Sequence, residues 1–316
     1  MSINYCEKER VFTLQTQNAT YQMIVDSHGY LLHCYYGAKI ERQNLSYCIQ
    51  PQDRGFAANP PDAAGDRTLS PDTLPQEYST FGVGDFRESC LDVRDKNGGV
   101  AADLRYGSYR IYPGKKPLNG LPAAYGNEKD VDTLEIDLRD KVSGLVVTLR
   151  YSVFAQWDVI ARSAEIFNRG TGVLILERAL SCCLDEPVPA SRDILTFYGR
   201  HMGERNLERM PLRHGKFRVD SMRGASSPHY NPFVILCDSA ATETAGNCWA
   251  FSLVYSGNFI AQAEVDQIDT LRFVMGIAPQ NFSWELKPGA SFQAPEVLLC
   301  FSDYGFDALS NRLNGF

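Results

Sequence analysis

The chain has 316 residues, of which 44% are hydrophobic and 22% are charged, a composition typical of globular proteins rather than of disordered or fibrous ones. Its formal net charge of -7 and its isoelectric point near 5.3 argue against nucleic acid or an anionic membrane as a partner. No secretory leader and no apolar stretch of bilayer-spanning length is evident, so we expect a cytoplasmic protein.

Alternation of apolar and polar residues is the dominant local pattern, and it predicts strands with one face in a core and one face in water. In 145–153 it places Thr148, Arg150 and Ser152 on the wet face, and 134–139 alternates in the same way. Further strands are predicted, in chain order, at 11–16, 21–26, 30–36, 159–167, 173–183, 194–198, 217–222, 233–237, 249–255, 271–277, 282–286 and 297–301. Many short strands separated by turn residues predict an all-β chain folded as a large antiparallel two-layer β-sandwich.

Two regions break this alternation. Residues 50–90 are rich in proline and have little periodicity, which is typical of an irregular segment kept for binding or subunit contacts. At the other end, residues 304–316 place Asp307, Leu309 and Leu313 along a predicted helix. We therefore expect a sandwich domain at 1–302 and the start of a helical linker at 303–316.

Candidate acids for catalysis are plentiful in the irregular segment, but none is sharply placed. Asp53, Asp66, Asp72 and Asp85 lie there, and three of them stand within two residues of an arginine. Such pairs favour structural ion pairs or loop hydrogen bonds over catalysis. The nearby Gly82-Val83-Gly84 lacks the third glycine of a dinucleotide loop and predicts a tight turn.

The cysteines and histidines give no sign of a metal site or a cofactor. The nine cysteines include no CxxC pair, and Cys182 and Cys183 lie in an apolar run where thiols are expected to be small buried hydrophobes. His33 is expected to be a core imidazole with a hydrogen-bond partner. We therefore predict free thiols in a reducing cytosol, with no metal ion and no cofactor.

Several runs of the sequence resemble, in the expected order, the amino-terminal domain of glycoside hydrolase family thirty-six α-galactosidases. The first two read DRGFAANP and LPQEYSTFGVGDFR, and the full set lies at 53–60, 74–87, 199–205, 223–233, 251–259, 276–284 and 295–303. The resemblance implies a β-supersandwich that precedes a (β/α)8 barrel, and a retaining mechanism whose two aspartates belong to the barrel. The Lys-Trp-Asp type of barrel motif is not found, and Ser302-Asp303 matches the end of the sandwich. No residue is therefore assigned a catalytic role, the barrel is expected to lie outside the sequence, and the chain is expected to be inactive alone.

The same resemblance implies galactosides as substrates of the full enzyme, the domain's own catalytic barrel as a partner, and a homo-oligomer, expected to be a tetramer. Loops of this domain in tetrameric members narrow the substrate pocket of a neighbouring subunit. Asp53, Arg54 and Phe56 match that loop and are the predicted sugar-side contacts. The sequence departs from the family in having no tryptophan in 50–90, and in having His201 where a tryptophan is common.

Two other functions stay open. An aldose-1-epimerase is also a single supersandwich, and 229–231 resembles one of its motifs, although a second histidine and a late acidic base are not evident. A carbohydrate-binding module would expose aromatic platforms, whereas Trp157, Trp249 and Trp284 all lie in strand-like runs, which favours buried roles.

Overall fold

The computed structural model describes residues 2–41, 43–53, 58–187 and 191–316. Within these ranges the chain forms three antiparallel sheets and one α-helix. No helix of the described part combines the length and the apolar character that crossing a bilayer requires.

A four-stranded meander opens the chain. Its strands are β1 (Ile3–Cys6), β2 (Val11–Gln15), β3 (Ala19–Val25) and β4 (Leu31–Ala38), paired in that order. The register sets Phe12 opposite Met23 and Leu14 opposite Tyr21. These four side chains therefore share one face, and all are fully buried.

The second sheet has six strands. They are β5 (Leu91–Asp95), β10 (Leu174–Asp185), β13 (Gly215–Ser221), β16 (Phe259–Val265), β17 (Leu271–Ile277) and β18 (Trp284–Leu286). The order is β13-β16-β17-β10-β18, and β5 also pairs with β10. The long strand β10 is thus the element on which this sheet is assembled.

The third sheet has ten strands and forms the opposite layer. They are β6 (Arg105–Pro113), β7 (Asp132–Arg139), β8 (Leu145–Phe154), β9 (Val159–Asn168), β11 (Arg192–Arg200), β12 (Gly203–Pro211), β14 (Tyr230–Asp238), β15 (Cys248–Leu253), β19 (Ser291–Gln293) and β20 (Val297–Ser302). The order is β12-β11-β14-β15-β20-β9-β8-β7-β6, with β19 on β9. All fourteen strands predicted from alternation lie within these three sheets, so those predictions are confirmed.

One buried core contains residues of all three sheets. Residues 76–80 join the two smaller sheets, because Gln76 bridges to Leu32 of β4 and Thr80 bridges to Leu91 of β5. Across the layers, the ring centroids of Phe251 and Phe273 lie 4.3 Å apart. The two smaller sheets therefore form one layer over the ten-stranded sheet, which is the predicted two-layer sandwich.

The prediction of a wet face on β8 is wrong. Its apolar face lies in the core as expected, but Arg150 is only 8% exposed and Ser152 is fully buried on the opposite face. The cause is pairing with β7, where Thr133 hydrogen bonds to Ser152 and Glu135 binds Arg150. On this face the polar side chains of β7 and β8 pack against one another, which leaves little of each one exposed.

The predicted C-terminal helix is present as α1 (Gly305–Gly315). It packs on the outer face of the ten-stranded sheet, where Leu309 is 1% exposed within a second, smaller core. Beside it, Phe316 contacts Phe154 with ring centroids 4.8 Å apart. Arg312 adds an ion pair of 3.3 Å to Asp158.

Candidate functional site

The irregular segment divides into an exposed half and a buried half. We call residues 43–53 and 58–69 the outer loop, and residues 70–87 the inner strip. The outer loop holds two short 3-10 turns, Ser46–Cys48 and Pro61–Ala63, and most of its residues face solvent. The inner strip is mostly buried, beginning with Ser70 at 1% exposure. The sequence therefore correctly predicted an irregular segment but not its buried half.

Asp53 lies on the exposed outer loop, where the structure brings it to Arg67. Arg67 Nε lies 3.0 Å from Asp53 Oδ1, and both side chains are about two-thirds exposed, at 66% and 64%. The other two predicted contacts, Arg54 and Phe56, lie outside the described residues. Arg67 was missed because it adjoins Asp66, which instead accepts hydrogen bonds from Thr68. An exposed carboxylate beside a guanidinium offers both acceptors and donors to sugar hydroxyls.

A buried charge cluster anchors the inner strip at Glu77. Arg162 Nη1 lies 2.9 Å from Glu77 Oε1, and neither side chain is exposed. Tyr21 and Tyr151 donate hydrogen bonds to Glu77 Oε1, at 2.5 and 2.7 Å, and His33 Nδ1 lies 3.2 Å from Oε2. We call these five residues the Glu77 cluster. Burial would raise the pKa of Glu77, but the charge of Arg162 and the His33 contact outweigh it, so the pKa is lowered.

The prediction that His33 is a core imidazole with a partner is confirmed, since it is 2% exposed and bound to Glu77. The cluster reaches strands of both layers, because Tyr21 and His33 lie in the meander while Tyr151 and Arg162 lie in the ten-stranded sheet. Glu77 is therefore a link between the layers as well as an anchor for the irregular segment.

A second buried charge cluster lies a few residues further on. Asp85 binds Arg87 Nε at 3.0 Å and Arg272 Nη2 at 2.7 Å, and Arg272 also holds Asp185, at 2.6 Å. We call these four residues the Asp85 cluster. Burial would raise the pKa of Asp85, but the charges of Arg272 and Arg87 outweigh it and lower it. The prediction of a structural ion pair at 85–87 is confirmed.

The edge of this second cluster has a pH-dependent contact at Glu88. Glu88 pairs with Arg178 and with Lys216, whose Nζ lies 2.8 Å from Oε2. Burial would raise the pKa of Glu88, but the Lys216 hydrogen bond and the Arg178 charge outweigh it and lower the pKa to about 2. Because the folded-state pKa is the lower one, the stabilisation is complete above the unfolded-state pKa near 4.5 and is lost as the pH falls toward 2.

Glu88→Gln is therefore expected to lower the free energy of unfolding at pH 6 by about 1–2 kcal/mol, and by almost nothing at pH 2. Urea unfolding of both proteins across this pH range measures the difference. The control is Glu177→Gln in the exposed Arg94 pair, which should cost less than about 1 kcal/mol. A difference between wild type and Glu88→Gln that is the same at both pH values would contradict the assignment.

A polar cavity of about 740 Å³ lies on the outer face of β7, β8 and β9. Two of its carboxylates are held by cations: Glu135 by Arg150 at 3.0 Å and by Arg110 at 2.8 Å, and Glu165 by Arg150 at 3.4 Å. Burial would raise the pKa of Glu135, but hydrogen bonds from Arg150, Tyr112 and Arg110 outweigh it and lower it. A carboxylate held ionised in this way is not suited to donate a proton to a leaving group.

Glu186 is a described carboxyl group whose pKa is raised, as that of a general acid is. Burial raises its pKa despite an ion pair of 3.0 Å to Arg192. Arg192 is shared with Asp238, at 2.8 Å. The arrangement separates Glu186 from the other carboxylate by a guanidinium, whereas a retaining glycosidase places two carboxyl groups about 5–5.5 Å apart around an open sugar site.

A second and largely apolar cavity of about 960 Å³ runs along β11, β12 and β14, with α1 as one wall. Phe197 and Phe233 line its floor with ring centroids 5.7 Å apart, and Leu207 of the edge strand is 57% exposed. Phe306 and Leu313, both on α1, also line the cavity. We call this cavity the α1 groove. An exposed apolar groove of this kind is typical of a surface that another protein unit covers.

Several of the sequence runs that resemble the family converge beside the α1 groove. Glu204, Arg205, Ser226, Ser227 and Asn231 line a shallow cavity of about 300 Å³. The ring of the neighbouring exposed His229 contacts Ser227 Oγ at 3.2 Å. The sequence signal for this region was therefore the cluster of motif runs at 199–205 and 223–233.

The expectation that all three tryptophans are buried is wrong for two of them. Trp249 is 7% exposed, but Trp157 is 38% and Trp284 is 48% exposed. Trp157 lies in a 3-10 turn beside the end of α1, and Trp284 lies on the short strand β18 against Phe292, with ring centroids 5.3 Å apart. Both sit at the margin of the fold, where a strand-like run does not imply burial on either side.

The cysteines behave as predicted. All nine are free thiols, and Cys182 and Cys183 are fully buried. Burial raises the pKa of Cys182 to about 12, which leaves it without nucleophilic thiolate at neutral pH. Across residues 2–41, 43–53, 58–187 and 191–316, no group of three or more His, Cys, Asp or Glu side chains is arranged to hold a metal ion.

Comparison with known proteins gives consistent matches along the chain. The family model described as glycosyl hydrolase family 36 N-terminal domain matches residues 29–287. The chain is similar to the bifunctional alpha-galactosidase/sucrose kinase AgaSK of Mediterraneibacter gnavus, with 47% identity over 99% of this chain and 33% of the relative. It is similar to alpha-galactosidase AgaA of Geobacillus stearothermophilus, with 45% identity over 98% of this chain and 42% of the relative.

Solved structures of α-galactosidases match the chain as well. The galactosidase domain of AgaSK superposes with a TM-score of 0.96 over 98% of this chain and 43% of that structure, at 47% identity. A variant of AgaA from Geobacillus stearothermophilus in complex with raffinose gives a TM-score of 0.92 over 96% of this chain and 42% of that structure, at 45% identity. The chain thus spans from a third to less than half of the length of these relatives.

Proposed function

Because the chain belongs to the N-terminal domain family of glycosyl hydrolase family 36, we propose that it serves as the non-catalytic N-terminal domain of an α-galactosidase that hydrolyses terminal α-D-galactosyl residues. The observation that carries this proposal is the match of almost the whole chain to about a third of AgaSK. The matched relatives favour this function over an aldose-1-epimerase or a separate carbohydrate-binding module. Nine free thiols support a cytoplasmic location.

We place the catalytic barrel of the longer protein against the α1 groove. The groove is apolar, and one of its walls is the helix α1 that the proposed boundary at 302/303 assigns to the linker. A domain that follows α1 needs no long connection to cover Phe233 and Leu313. Burying such side chains contributes about 25 cal/mol per Å² of apolar surface, which is the usual stabilisation of a domain interface.

The outer loop is the proposed contribution to substrate binding. In a homo-oligomer, expected to be a tetramer, the loop reaches the active site of a neighbouring subunit and contacts the sugars beyond the galactosyl unit. Asp53 remains the proposed acceptor, with Arg54 and Phe56 beside it, and the contact of 3.0 Å supports adding Arg67 as a donor. The raffinose complex of the AgaA variant supports raffinose as a substrate to test.

Asp53→Ala and Arg67→Ala, each made in the longer protein, are expected to raise KM for raffinose about 10- to 100-fold with little change in kcat. The reason is that loss of one hydrogen bond to a charged group costs about 1.5–3 kcal/mol of binding. Steady-state kinetics with raffinose measure both constants. The matched control is Arg94→Ala, which breaks an exposed Arg–Glu pair elsewhere on the surface. If the loop variants have the same KM as Arg94→Ala, the proposed role of the outer loop is wrong.

A further inference from the structure

Arg87 is the residue through which the sandwich holds the inner strip of the irregular segment in place. Its side chain is 5% exposed, and its Nε and Nη2 donate to the two carboxylate oxygens of Asp85, at 3.0 and 3.1 Å. The same Nη2 also lies within hydrogen-bond distance of the backbone carbonyls of Pro71 and Leu74, at 3.0 and 2.7 Å, so its two N–H groups are shared among three acceptors. A planar guanidinium can bind a carboxylate and two carbonyls at once because its donors are fixed in a fork.

The residues that bind Arg87 are themselves bound to the core of the sandwich. Arg272 of β17 binds Asp85 at 2.7 Å and donates from Nη1 to the carbonyl of Glu88, at 2.9 Å. Gln76 adds a hydrogen bond of 2.7 Å to Asp85. Since Asp85, Arg87 and Arg272 are all less than 10% exposed, their positions are fixed by packing as well as by charge.

The inner strip in turn fixes the outer loop. Ser70 Oγ donates to the carbonyl of Ala58 at 3.0 Å. Within the outer loop, Asn59 Nδ2 donates to the carbonyl of Leu69, the neighbour of Ser70, at 2.9 Å. Gly84, with φ +98°, lies so close to Ala58 that an added Cβ would stand 2.7 Å from the Ala58 Cβ. Displacement of residues 71–74 is therefore transmitted to the exposed loop.

We propose that Arg87 is a positioning residue: by holding the carbonyls of Pro71 and Leu74 it fixes the outer loop, and so favours galactosides whose leaving group is a sugar over those whose leaving group is an aryl ring. This inference rests on the proposed function of the outer loop. Arg87 itself is buried and touches no sugar. Its effect comes from holding the outer loop, with Asp53 and Arg67, in one place before the substrate arrives.

The test is Arg87→Lys in the longer protein, assayed with raffinose and with p-nitrophenyl α-galactoside. A lysine keeps the positive charge next to Asp85 but cannot reproduce the planar fork to both carbonyls. We expect KM for raffinose to rise about tenfold while kcat, and both constants for the aryl galactoside, change less than about twofold. An equal loss on both substrates, or no change on either, overturns the proposal.

Ser70→Ala is a second variant, which tests the same proposal if Arg87→Lys does not fold. It removes only the hydroxyl that joins the inner strip to Ala58. We expect the same selective rise in KM for raffinose, and an unchanged KM in the folded Ser70→Ala protein overturns the positioning role. Arg67→Ala, measured in parallel, separates the two proposals: if it also leaves KM unchanged, the proposed function of the loop has failed. If Arg67→Ala raises KM while Arg87→Lys does not, only the role of Arg87 is wrong.

Discussion

Replacing Arg162 by methionine is expected to lower the free energy of unfolding of this chain by about 3–5 kcal/mol. The substitution leaves Glu77 fully buried with a charge that no cation neutralises. Removing one partner of a buried pair is costly because the remaining ion keeps its full desolvation penalty. A loss of this size is a large fraction of a typical domain's stability of about 5–15 kcal/mol.

The expected loss of stability is large because the Arg162 guanidinium binds several groups at once. It binds the Glu77 carboxylate, the carbonyl of Cys183 and the carbonyl of Glu77 itself, and it lies 5.2 Å from the Tyr151 ring centroid. Loss of Arg162 thus removes one tie between the ten-stranded sheet and β10 and another to the inner strip. Urea unfolding of the variant measures the cost directly.

Two further variants serve as controls for the Arg162→Met measurement. In the double variant Glu77→Gln with Arg162→Met, the loss should be smaller than the sum of the two single losses, because no unpaired charge remains. Arg94→Ala, in a pair that is 47% and 39% exposed, should cost far less than Arg162→Met, because solvent screens an exposed pair. A loss for Arg162→Met as small as that for Arg94→Ala would contradict the role of the Glu77 cluster.

The elements most readable from sequence are those with one apolar face. In β8 the residues Val147, Leu149 and Tyr151 alternate with polar ones, and all three lie in the core. By contrast β12, an edge strand, is exposed on both faces along most of its length, and this leaves no alternation to detect. Strand β16 was missed for the opposite reason, since it is buried on both faces over 259–263.

The candidate site, like the strands, could be predicted from the sequence only in part. Alternation and proline content predicted where the irregular segment lies, and a local Asp–Arg pattern predicted the ion pair at 85–87. The residues that complete the Asp85 cluster, Asp185 and Arg272, lie far along the chain and meet Asp85 only through the pairing of β10 with β17. The contact between Asp53 and Arg67 likewise depends on how the outer loop folds back on itself.

We propose that cleavage of the glycosidic bond takes place outside these residues. A retaining glycosidase needs one carboxylate as nucleophile and one protonated carboxyl as acid. In this chain Glu135 is held ionised by Arg150 and Arg110, and Glu186 is paired with Arg192. Neither of these two carboxyl groups has the setting of a nucleophile and acid pair, so we expect the displacement to need residues of the longer protein.

The most direct measurement is therefore the release of p-nitrophenol from p-nitrophenyl α-galactoside by the purified 316-residue chain. We expect a rate equal to that of buffer, beside measurable turnover by the longer protein that contains this domain. Turnover by the 316-residue chain that disappears in its Glu186→Gln variant would contradict a non-catalytic role, because it would place the acid within the sandwich.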